Sequence, residues 1–391
     1  MMTDGPDAAD DTLCVSGMAW RTALGTNLDE VWRALMSGVT GVRELPVENR
    51  VSPIRNLLAA PFGSTAPQGG GRVRQVEVAV ATARAALAHA GLPNDASDVT
   101  LVLGTSLGPH LDEPVDGTLY TWAEQTARGL GVTIPPVAVS TACSSGADAV
   151  AAAGALLRMG VAKSCLVGGI DLLTPGKRIG HSALRTMSRS LPRSFDADRD
   201  GMLLGEAAAF LVLERLADAR ARGARMHGIL AGWGASNDAA GFTTPDAKGR
   251  SAAEAVRRSL ALARVSAAQV AVVNAHGTGT PQNDAAEAAC LRLLFDGLDQ
   301  PPVTFATKGA FGHTLGATGV VEAITVLLAL RDQRVPPVAN LETVMSGFTL
   351  PLPRKVPMAL QGKYGLSLTL GFGGFNTALL LSSCAAVMEE P

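Results

Sequence analysis

The sequence predicts an α/β fold in which strands and helices alternate along the chain. Three observations favour this class. Short apolar runs that contain β-branched residues alternate with longer, alanine-rich runs of helical composition. The order of these runs repeats, so that two similar halves follow one another. Hydrophobic residues make up 47% of the chain, which is enough to bury sheets between helical layers.

Each half is expected to contain a strand, a helix, a second strand, a long helix and a closing strand, in that order. In the first half we predict these elements at 13–19, 76–90, 99–104, 146–159 and 208–213. In the second half we predict them at 227–234, 250–263, 270–274, 319–330 and 378–381. The corresponding division of the chain is a disordered tail at 1–11, a first half at 12–223 and a second half at 224–386. The glycine- and proline-rich stretch 50–74 is predicted to be a surface loop.

The composition argues against several classes of function. The net charge is −2 and aromatic residues make up 4% of the chain, so neither a basic field nor a set of stacking rings indicates a nucleic-acid partner. The five cysteines have no CxxC or metal-type spacing, which disfavours a disulfide framework or a metal site and is typical of the reducing cytoplasm. No signal-like start and no apolar run of about 18 residues occur, so we expect no membrane association.

Cys143 stands in the most informative segment of the chain, VAVSTACSSG at 137–146. The apolar residues 137–139 predict a short buried strand, and the small residues after them predict a turn into the helix at 146–159. A cysteine at such a turn lies near the positive end of the helix dipole, which favours the nucleophilic thiolate. Taken alone, a free cysteine is also compatible with a buried and inert thiol.

Two histidines supply a second feature. His276 lies in AHGTGTP at 275–281, directly after an apolar run, and His313 lies in KGAFGHTLG at 308–316. Glycines in such turns let a substrate approach the backbone, and turns at strand ends are common places for sites. With Cys143 they predict a Cys-His-His site, in which both imidazoles must lie within about 10 Å of the sulfur, on the order of three hydrogen-bond lengths.

The chain resembles the type II β-ketoacyl-acyl-carrier-protein synthases, which are thiolase-like condensing enzymes of fatty acid and polyketide synthesis. The matching motifs follow the family's order over 11–385: TACSSG at 141–146, FDADRDG at 195–201, HGTGTP at 276–281, KGAFGH at 308–313 and GFGG at 371–374. The resemblance implies a duplicated, five-layer αβαβα thiolase-like fold that dimerises. It also implies an acyltransferase that performs a decarboxylative Claisen condensation. No cofactor is implied beyond the phosphopantetheine of an acyl carrier protein, on which the substrates arrive.

The resemblance assigns roles to individual residues. Cys143 is implied to be the nucleophile that takes the acyl group. The backbone N–H groups of Cys143 and Phe372 are implied to bind the oxyanions, and Phe372 to gate the acyl pocket. His276 and His313 are implied to donate hydrogen bonds to the enolate oxygen.

Four further residues are implied to support the reaction. Lys308 and Glu322 would form a buried pair that organises the histidines. Thr278 and Thr280 would hydrogen-bond the amides of the pantetheine arm.

Three departures from the family pattern indicate a specialised pathway. The stretch 106–143 is shorter than in the fatty-acid enzymes, where it lines the acyl pocket and the dimer interface. The loop at 50–74 is also compressed. Phe311 and Phe375 stand where smaller residues are usual, and we expect both to line and narrow the substrate pocket.

Other functions stay open at this level. Related pathways contain catalytically silent partner subunits that determine chain length, although such subunits usually lack the nucleophile that this chain keeps. A non-condensing acyltransferase would keep the acyl-cysteine step and pass the acyl group to an amine or alcohol, which requires only one base. The sequence does not decide between a homodimer and a heterodimer with a second ketosynthase-like chain.

Overall fold

The protein is represented by a computed structural model that describes residues 12–45, 54–63, 71–93, 97–113 and 118–384. The tail predicted at 1–11, parts of the loop predicted at 50–74 and residues 385–386 lie outside these ranges. The strands are β1 (Leu13–Arg21), β2 (Arg43–Glu44), β3 (Leu58–Ala59), β4 (Thr100–Gly104), β5 (Val137–Val139), β6 (Ser164–Asp171), β7 (Ala207–Arg215), β8 (Gly228–Asn237), β9 (Val270–Asn274), β10 (Val303–Phe305), β11 (Arg334–Val335), β12 (Met358–Ala359), β13 (Tyr364–Gly371) and β14 (Phe375–Ser382).

The helices are α1 (Leu28–Met36), α2 (Gly71–His89), α3 (Tyr120–Leu130), α4 (Ser145–Arg158), α5 (Pro175–Ala183), α6 (Leu216–Ala221), α7 (Arg250–Ala263), α8 (Pro281–Phe295), α9 (Lys308–Phe311) and α10 (Thr318–Asp332). All ten strands and helices predicted from the sequence are present, with their ends moved by a few residues. The boundary predicted at 223/224 falls between α6 and β8 and stays a prediction. No helix within the described ranges is both long enough and apolar enough to cross a bilayer.

The strand order shows the duplication directly. One half of the large sheet runs β1-β7-β6-β4-β5 and the other runs β8-β14-β13-β9-β10. The pairing directions also correspond, because β4 is parallel to β5 and β6, as β9 is to β10 and β13, while the remaining pairs in each half are antiparallel. The two halves meet where β1 pairs with β8. The fold is therefore the predicted duplicated α/β architecture.

The apolar core is divided by these sheets into layers. The central layer holds α4 and α10, whose buried residues pack with the inward faces of both halves. Outside the first half, α2 and α3 pack on β4, β6 and β7. Outside the second half, α7 and α8 pack on β9, β13 and β14. Because all thirteen residues from Thr318 to Leu330 of α10 are buried, this helix is enclosed on every side, and the layers read helix, sheet, helix, sheet, helix.

The prediction of a buried strand before Cys143 is wrong. In β5, Ala138 is exposed and its two neighbours are only half-buried. The reason is topological, because β5 is the last strand of its half and, within the described ranges, pairs only with β4. Within a single chain, its apolar residues therefore lie at an open sheet edge.

The duplication also places the motifs. Cys143 lies between β5 and α4, and His313 lies at the equivalent place of the second half, between β10 and α10. His276 follows β9, and Phe372 lies in the turn between β13 and β14. His276 and Phe372 follow β9 and β13, which are parallel neighbours, so these two positions lie at one edge of the second half of the sheet. Cys143 and His313 lie in the turns that lead into α4 and α10, and these two turns meet because the two helices pack on each other in the central layer.

Candidate active site

The nucleophile turn is held in a strained shape by hydrogen bonds. Ala142 has a left-handed φ of 53°, and residues Ala142–Ser144 form a 3₁₀ turn that runs into α4. The carboxylate of Asp148 accepts hydrogen bonds from the hydroxyls of Thr141, Ser144 and Thr377. Because a non-glycine residue with positive φ needs support from its surroundings, this network fixes the direction of the next side chain, Cys143.

Cys143, His276 and His313 converge on one point. Their ligand-type atoms all lie within 4.8 Å of one another, well inside the distance that the sequence interpretation required. His313 Nε2 lies 3.1 Å from Cys143 Sγ. The two imidazole rings are 5.2 Å apart between centroids and nearly perpendicular, at 85°. All three side chains are at least 96% buried, so the reaction space is screened from bulk water.

The hydrogen bonds settle which ring nitrogens carry protons. The backbone N–H of Leu315 donates to His313 Nδ1, so the proton of a neutral His313 ring sits on Nε2. Lys308 Nζ lies 3.2 Å from His276 Nδ1, and an ammonium group can only donate. The proton of His276 therefore also sits on Nε2. Both imidazoles thus direct an N–H toward the reaction space.

Lys308 and Glu322 form the buried pair expected beneath the histidines. Lys308 Nζ lies 2.6 Å from Glu322 Oε1, and the two side chains are 2% and 1% exposed. Burial raises the pKa of Glu322 to about 7, although the Lys308 charge opposes the rise. The carboxylate holds Nζ in position, and Nζ in turn fixes the His276 ring.

Burial keeps both histidines neutral. It lowers the pKa of His276 well below its usual value, and the positive charge of Lys308 and the neighbouring His313 ring lower it further. Burial also lowers the pKa of His313, with contributions from Lys308 and His181. Neutral imidazoles with the proton on Nε2 are hydrogen-bond donors to a developing oxyanion.

The expectation of a resting thiolate is wrong for Cys143. Burial raises the pKa of its thiol to about 11, even though a hydrogen bond from the backbone N–H of Phe372 and the charge of Lys308 favour the thiolate. Desolvation of the buried sulfur outweighs the helix dipole here. The thiol is therefore neutral at rest, and the N–H donors around it stabilise the negative charge only as it develops.

The turn that carries Phe372 is anchored by its neighbours. Gly373 and Gly374 both have φ of 81°, a conformation that favours glycine. Gly373 N–H donates to the Phe242 carbonyl at 2.7 Å, and Asn237 Nδ2 donates to the Gly373 carbonyl at 3.0 Å. The Phe372 N–H is thereby held toward Cys143 Sγ.

A cleft leads from the surface to Cys143. Its wall contains the three catalytic candidates, Met202, Asp238, Thr278, Thr280, Asn283, residues 241–245, residues 370–372 and Gly374. Thr278 and Thr280 share a hydrogen bond of 2.9 Å between their hydroxyls, and Thr280 also caps α8. Both threonines predicted to contact pantetheine therefore line this cleft.

The two phenylalanines expected to narrow the pocket lie elsewhere. Phe311 is 1% exposed and packs edge-on against Trp20 in the central core, with ring centroids 5.9 Å apart, so its assignment to the substrate pocket is wrong. Phe375 is 37% exposed and leans over Gly373 at the outer side of the turn. Whether a ring faces the core or the cleft depends on packing that sequence spacing does not specify.

Two further groups join the site without having been predicted. Glu287 accepts hydrogen bonds from the backbone N–H groups of His276 at 2.6 Å and Gly277 at 2.8 Å, and burial raises its pKa to about 8. His181 stacks on Phe372 with ring centroids 5.8 Å apart. Glu287 could have been found from its spacing, because it lies on one face of α8 just after the HGTGTP motif. No local signal marks His181.

The three side chains at the centre of the site are also close enough together to bind a metal ion. Among the described residues, Cys143, His276 and His313 form the single cluster of three histidine, cysteine or acidic side chains close enough to share an ion. An ion bound there would occupy the nucleophile and both N–H donors. It would therefore compete with acyl transfer and not assist it.

The protein has a duplicated five-layer fold, and its buried thiol is surrounded by backbone and imidazole N–H donors. This combination is that of a thiolase-like condensing enzyme. Two family models match the chain. The β-ketoacyl synthase N-terminal domain matches residues 10–219 and the β-ketoacyl synthase C-terminal domain matches residues 227–342. The chain therefore belongs to the β-ketoacyl synthase family, and it is an acyltransferase-type condensing enzyme of fatty acid or polyketide synthesis.

Individual relatives match over nearly the full length. The 3-oxoacyl-[acyl-carrier-protein] synthase 2 of Vibrio harveyi is 29% identical over 408 residues, which are 95% of this chain and 98% of that protein. The synthase of the same name from Mycobacterium leprae is 28% identical over 425 residues, which are 97% and 99% of the two chains.

Solved structures agree with this result. A β-ketoacyl synthase from Burkholderia phymatum STM815 has a TM-score of 0.85 at 30% identity, over 95% of this chain and 99% of that chain. The ishigamide ketosynthase/chain length factor has a TM-score of 0.86 at 27% identity, also over 95% and 99%.

Proposed function

We propose that the protein is a carrier-protein-dependent β-ketoacyl synthase that condenses an acyl thioester with malonyl-carrier protein. The observation that carries this proposal is the pair of Nε2–H donors beside a buried thiol. A non-condensing acyltransferase needs a base for its acceptor, whereas two neutral donors suit an enolate oxygen. A silent partner subunit is disfavoured, because every catalytic side chain is present and oriented.

In the first step Cys143 Sγ attacks the acyl thioester carried on phosphopantetheine. The carbonyl oxygen becomes an oxyanion between the N–H groups of Cys143 and Phe372. The carbon–sulfur bond to the pantetheine breaks, and the proton of the Cys143 thiol ends on the departing pantetheine sulfur. His313 Nε2–H, at 3.1 Å, supports the sulfur while it carries negative charge.

In the second step malonyl-carrier protein occupies the same cleft. The bond to its carboxylate breaks, carbon dioxide leaves, and the electron pair becomes an enolate whose oxygen accepts from His276 and His313 Nε2–H. The enolate carbon then attacks the acyl-Cys143 carbonyl, and the Cys143 thiolate leaves as the β-ketoacyl thioester forms. The thiolate takes one proton from solvent through the cleft and returns to the neutral thiol. The substrates' own phosphopantetheine is the only carrier that this sequence of steps requires.

The acyl carrier protein and a dimer partner are proposed from two features. The cleft bears the Thr278 and Thr280 hydroxyls along the line that a pantetheine arm would take. The half-exposed apolar edge of β5 offers unpaired backbone groups to a second chain, identical or ketosynthase-like, and one similar structure is titled a ketosynthase/chain length factor. Light scattering of the purified protein tests this; a β5-paired dimer should dissociate when Ala138 is replaced by proline.

The pathway is proposed to be specialised, because the stretch 106–143 and the loop at 50–74 are shorter than in the fatty-acid enzymes. Phe372 and an apolar cluster that includes Leu173, Met187 and Met202 lie around Cys143, where the acyl group would bind. The experiment uses intact-protein mass spectrometry. Incubation with acyl-carrier thioesters should add one acyl group at Cys143, and later addition of malonyl-carrier should remove it as β-ketoacyl product. Cys143→Ser should show neither event. No adduct with any acyl group, alone or with a partner chain, would contradict the enzyme and favour a scaffold.

A further inference from the structure

We infer that His181 is a specificity-determining residue that accepts a hydrogen bond from a donor group on the acyl chain, such as a hydroxyl or an amide N–H. The inference rests on the proposed acylation of Cys143 and extends it to the class of acyl group. Its basis is the placement of one imidazole beside the ring that closes over the nucleophile.

The position of His181 puts it next to the space that an acyl group must enter. It lies in the last turn of α5, and its ring stacks on Phe372 at 5.8 Å between centroids, with 28° between the planes. Phe372 also packs on the apolar cluster that contains Cys143, Leu173 and Met187. Leu173 and Met187 flank α5 on either side. Phe372 thus lies between the nucleophile cluster and His181, so an acyl chain that passes the Phe372 ring on its way from Sγ would meet His181 next.

The hydrogen bonds of His181 leave one nitrogen available. The Thr186 hydroxyl donates to the His181 carbonyl oxygen at 3.1 Å, so its lone pairs are free to accept from His181 Nδ1–H at 3.2 Å. This assigns the ring proton to Nδ1 and makes Nε2 an acceptor. Within the described part of the chain, no donor lies at hydrogen-bonding distance from Nε2. This nitrogen is also not closed off from its surroundings, so a ligand can reach it.

The electrostatics keep this acceptor neutral. Burial lowers the pKa of His181 to about 4, and the nearby Lys177 ammonium lowers it further, while Asp171 opposes the change. Lys177 itself is paired with Asp171 at 2.5 Å and is 2% exposed, so its positive charge is fixed in place. At neutral pH the ring therefore offers a lone pair and not an N–H at Nε2. A carbonyl or carboxylate on the acyl chain would not be recognised there, but a hydroxyl or amide N–H would.

An apolar wall residue would be the ordinary choice beside a saturated acyl chain. An imidazole acceptor that no ligand satisfies costs free energy when an alkyl chain covers it, because the nitrogen loses water without gaining a partner. His181 is thus expected to select for a donor on the substrate and against the corresponding alkyl chain.

The test compares acyl-pantetheine thioesters that carry a hydroxyl at successive positions of a short chain with the alkyl thioester of the same length. The rate of Cys143 acylation is followed by intact-protein mass spectrometry. At one position the native protein should load the hydroxylated chain faster by about tenfold, the scale of one buried hydrogen bond. His181→Phe, which keeps the stack on Phe372, should abolish this preference by speeding the alkyl substrate. His181→Gln, whose Oε1 can replace Nε2 as acceptor, should retain most of it.

The outcomes separate this inference from the proposed function. If all chains load but no hydroxyl position is preferred, or if the preference survives in H181F, the role of His181 is wrong and the condensing activity stands. If no thioester acylates Cys143, the proposed function fails and this inference fails with it. Thermal melts of both variants check that they fold, and H181Q serves as the polar control if H181F is destabilised.

Discussion

Replacement of Lys308 by methionine should separate the two chemical steps of the enzyme. Lys308 Nζ touches Glu322 Oε1 at 2.6 Å and His276 Nδ1 at 3.2 Å, but Cys143 Sγ is hydrogen-bonded by His313 and by the Phe372 N–H. Lys308→Met therefore removes the donor that fixes the His276 tautomer and leaves the contacts of the sulfur in place. Condensation should be lost while acylation is largely kept.

The magnitude follows from these contacts. Loss of one correctly oriented oxyanion donor costs about 10²–10³ in rate, so decarboxylation and condensation in K308M should fall by that factor. Acylation of Cys143 should fall by less than about tenfold, since Lys308 acts on the sulfur only through its charge. Glu322 is left unpaired while 1% exposed, which should lower the free energy of unfolding by about 3–5 kcal/mol.

The assay is single-turnover quench flow with acyl-carrier and then malonyl-carrier substrate, each step read by mass spectrometry. The matched control is Lys308→Met combined with Glu322→Leu, in which both charges of the buried pair are gone. That double variant should recover most of the lost stability but none of the condensation. Equal losses in both steps of K308M, or recovery of condensation in the double variant, would refute the role given to Lys308.

Three further predictions concern the sulfur, the His276 turn and the His313 turn. Alkylation of Cys143 by iodoacetamide should rise about tenfold per pH unit up to about pH 10, because burial raises the pKa of the thiol to about 11; a plateau near neutral pH would contradict this. Burial also raises the pKa of Glu287 from 4.5 to about 8, so the unfolding free energy should fall as the pH rises between these values, and Glu287→Gln should flatten that slope in denaturation curves. Gly205→Ala should lower the free energy of unfolding by more than about 2 kcal/mol, because the new Cβ would lie 1.9 Å from the Phe311 carbonyl oxygen. Gly180→Ala is the control, because open space surrounds that position, and it should leave the stability unchanged or raise it. Equal melting temperatures for the two variants would refute the packing argument.

Much of the fold and the centre of the site could be predicted because local signals carry them. Apolar runs and alanine-rich runs determine the order of strands and helices, and the same order in both halves predicts the duplication. Cys143, His276 and His313 each follow an apolar strand or stand in a glycine-rich turn, and the family resemblance implies that these turns meet at one site. The distance of 4.8 Å or less that joins their atoms confirms that inference.

The remainder depends on contacts between distant parts of the chain. The thiol of Cys143 stays protonated because it is enclosed, and burial is a property of the packed core and not of a ten-residue segment. Phe311 faces Trp20, almost three hundred residues earlier in the chain, so no local pattern shows which way its ring points. His181 is connected to the site only through its stack on the Phe372 ring, a contact between distant segments that no local sequence pattern predicts.

The most direct measurement of the central claim is the stoichiometry of carbon dioxide release from malonyl-carrier protein by enzyme that has been acylated at Cys143 beforehand. If the two imidazole N–H groups stabilise an enolate that attacks the acyl-Cys143 carbonyl, one carbon dioxide and one β-ketoacyl-carrier should form for each acyl group consumed. His276→Ala should form neither product. Consumption of the acyl-enzyme without carbon dioxide release would contradict condensation and would leave acyl transfer as the chemistry of this site.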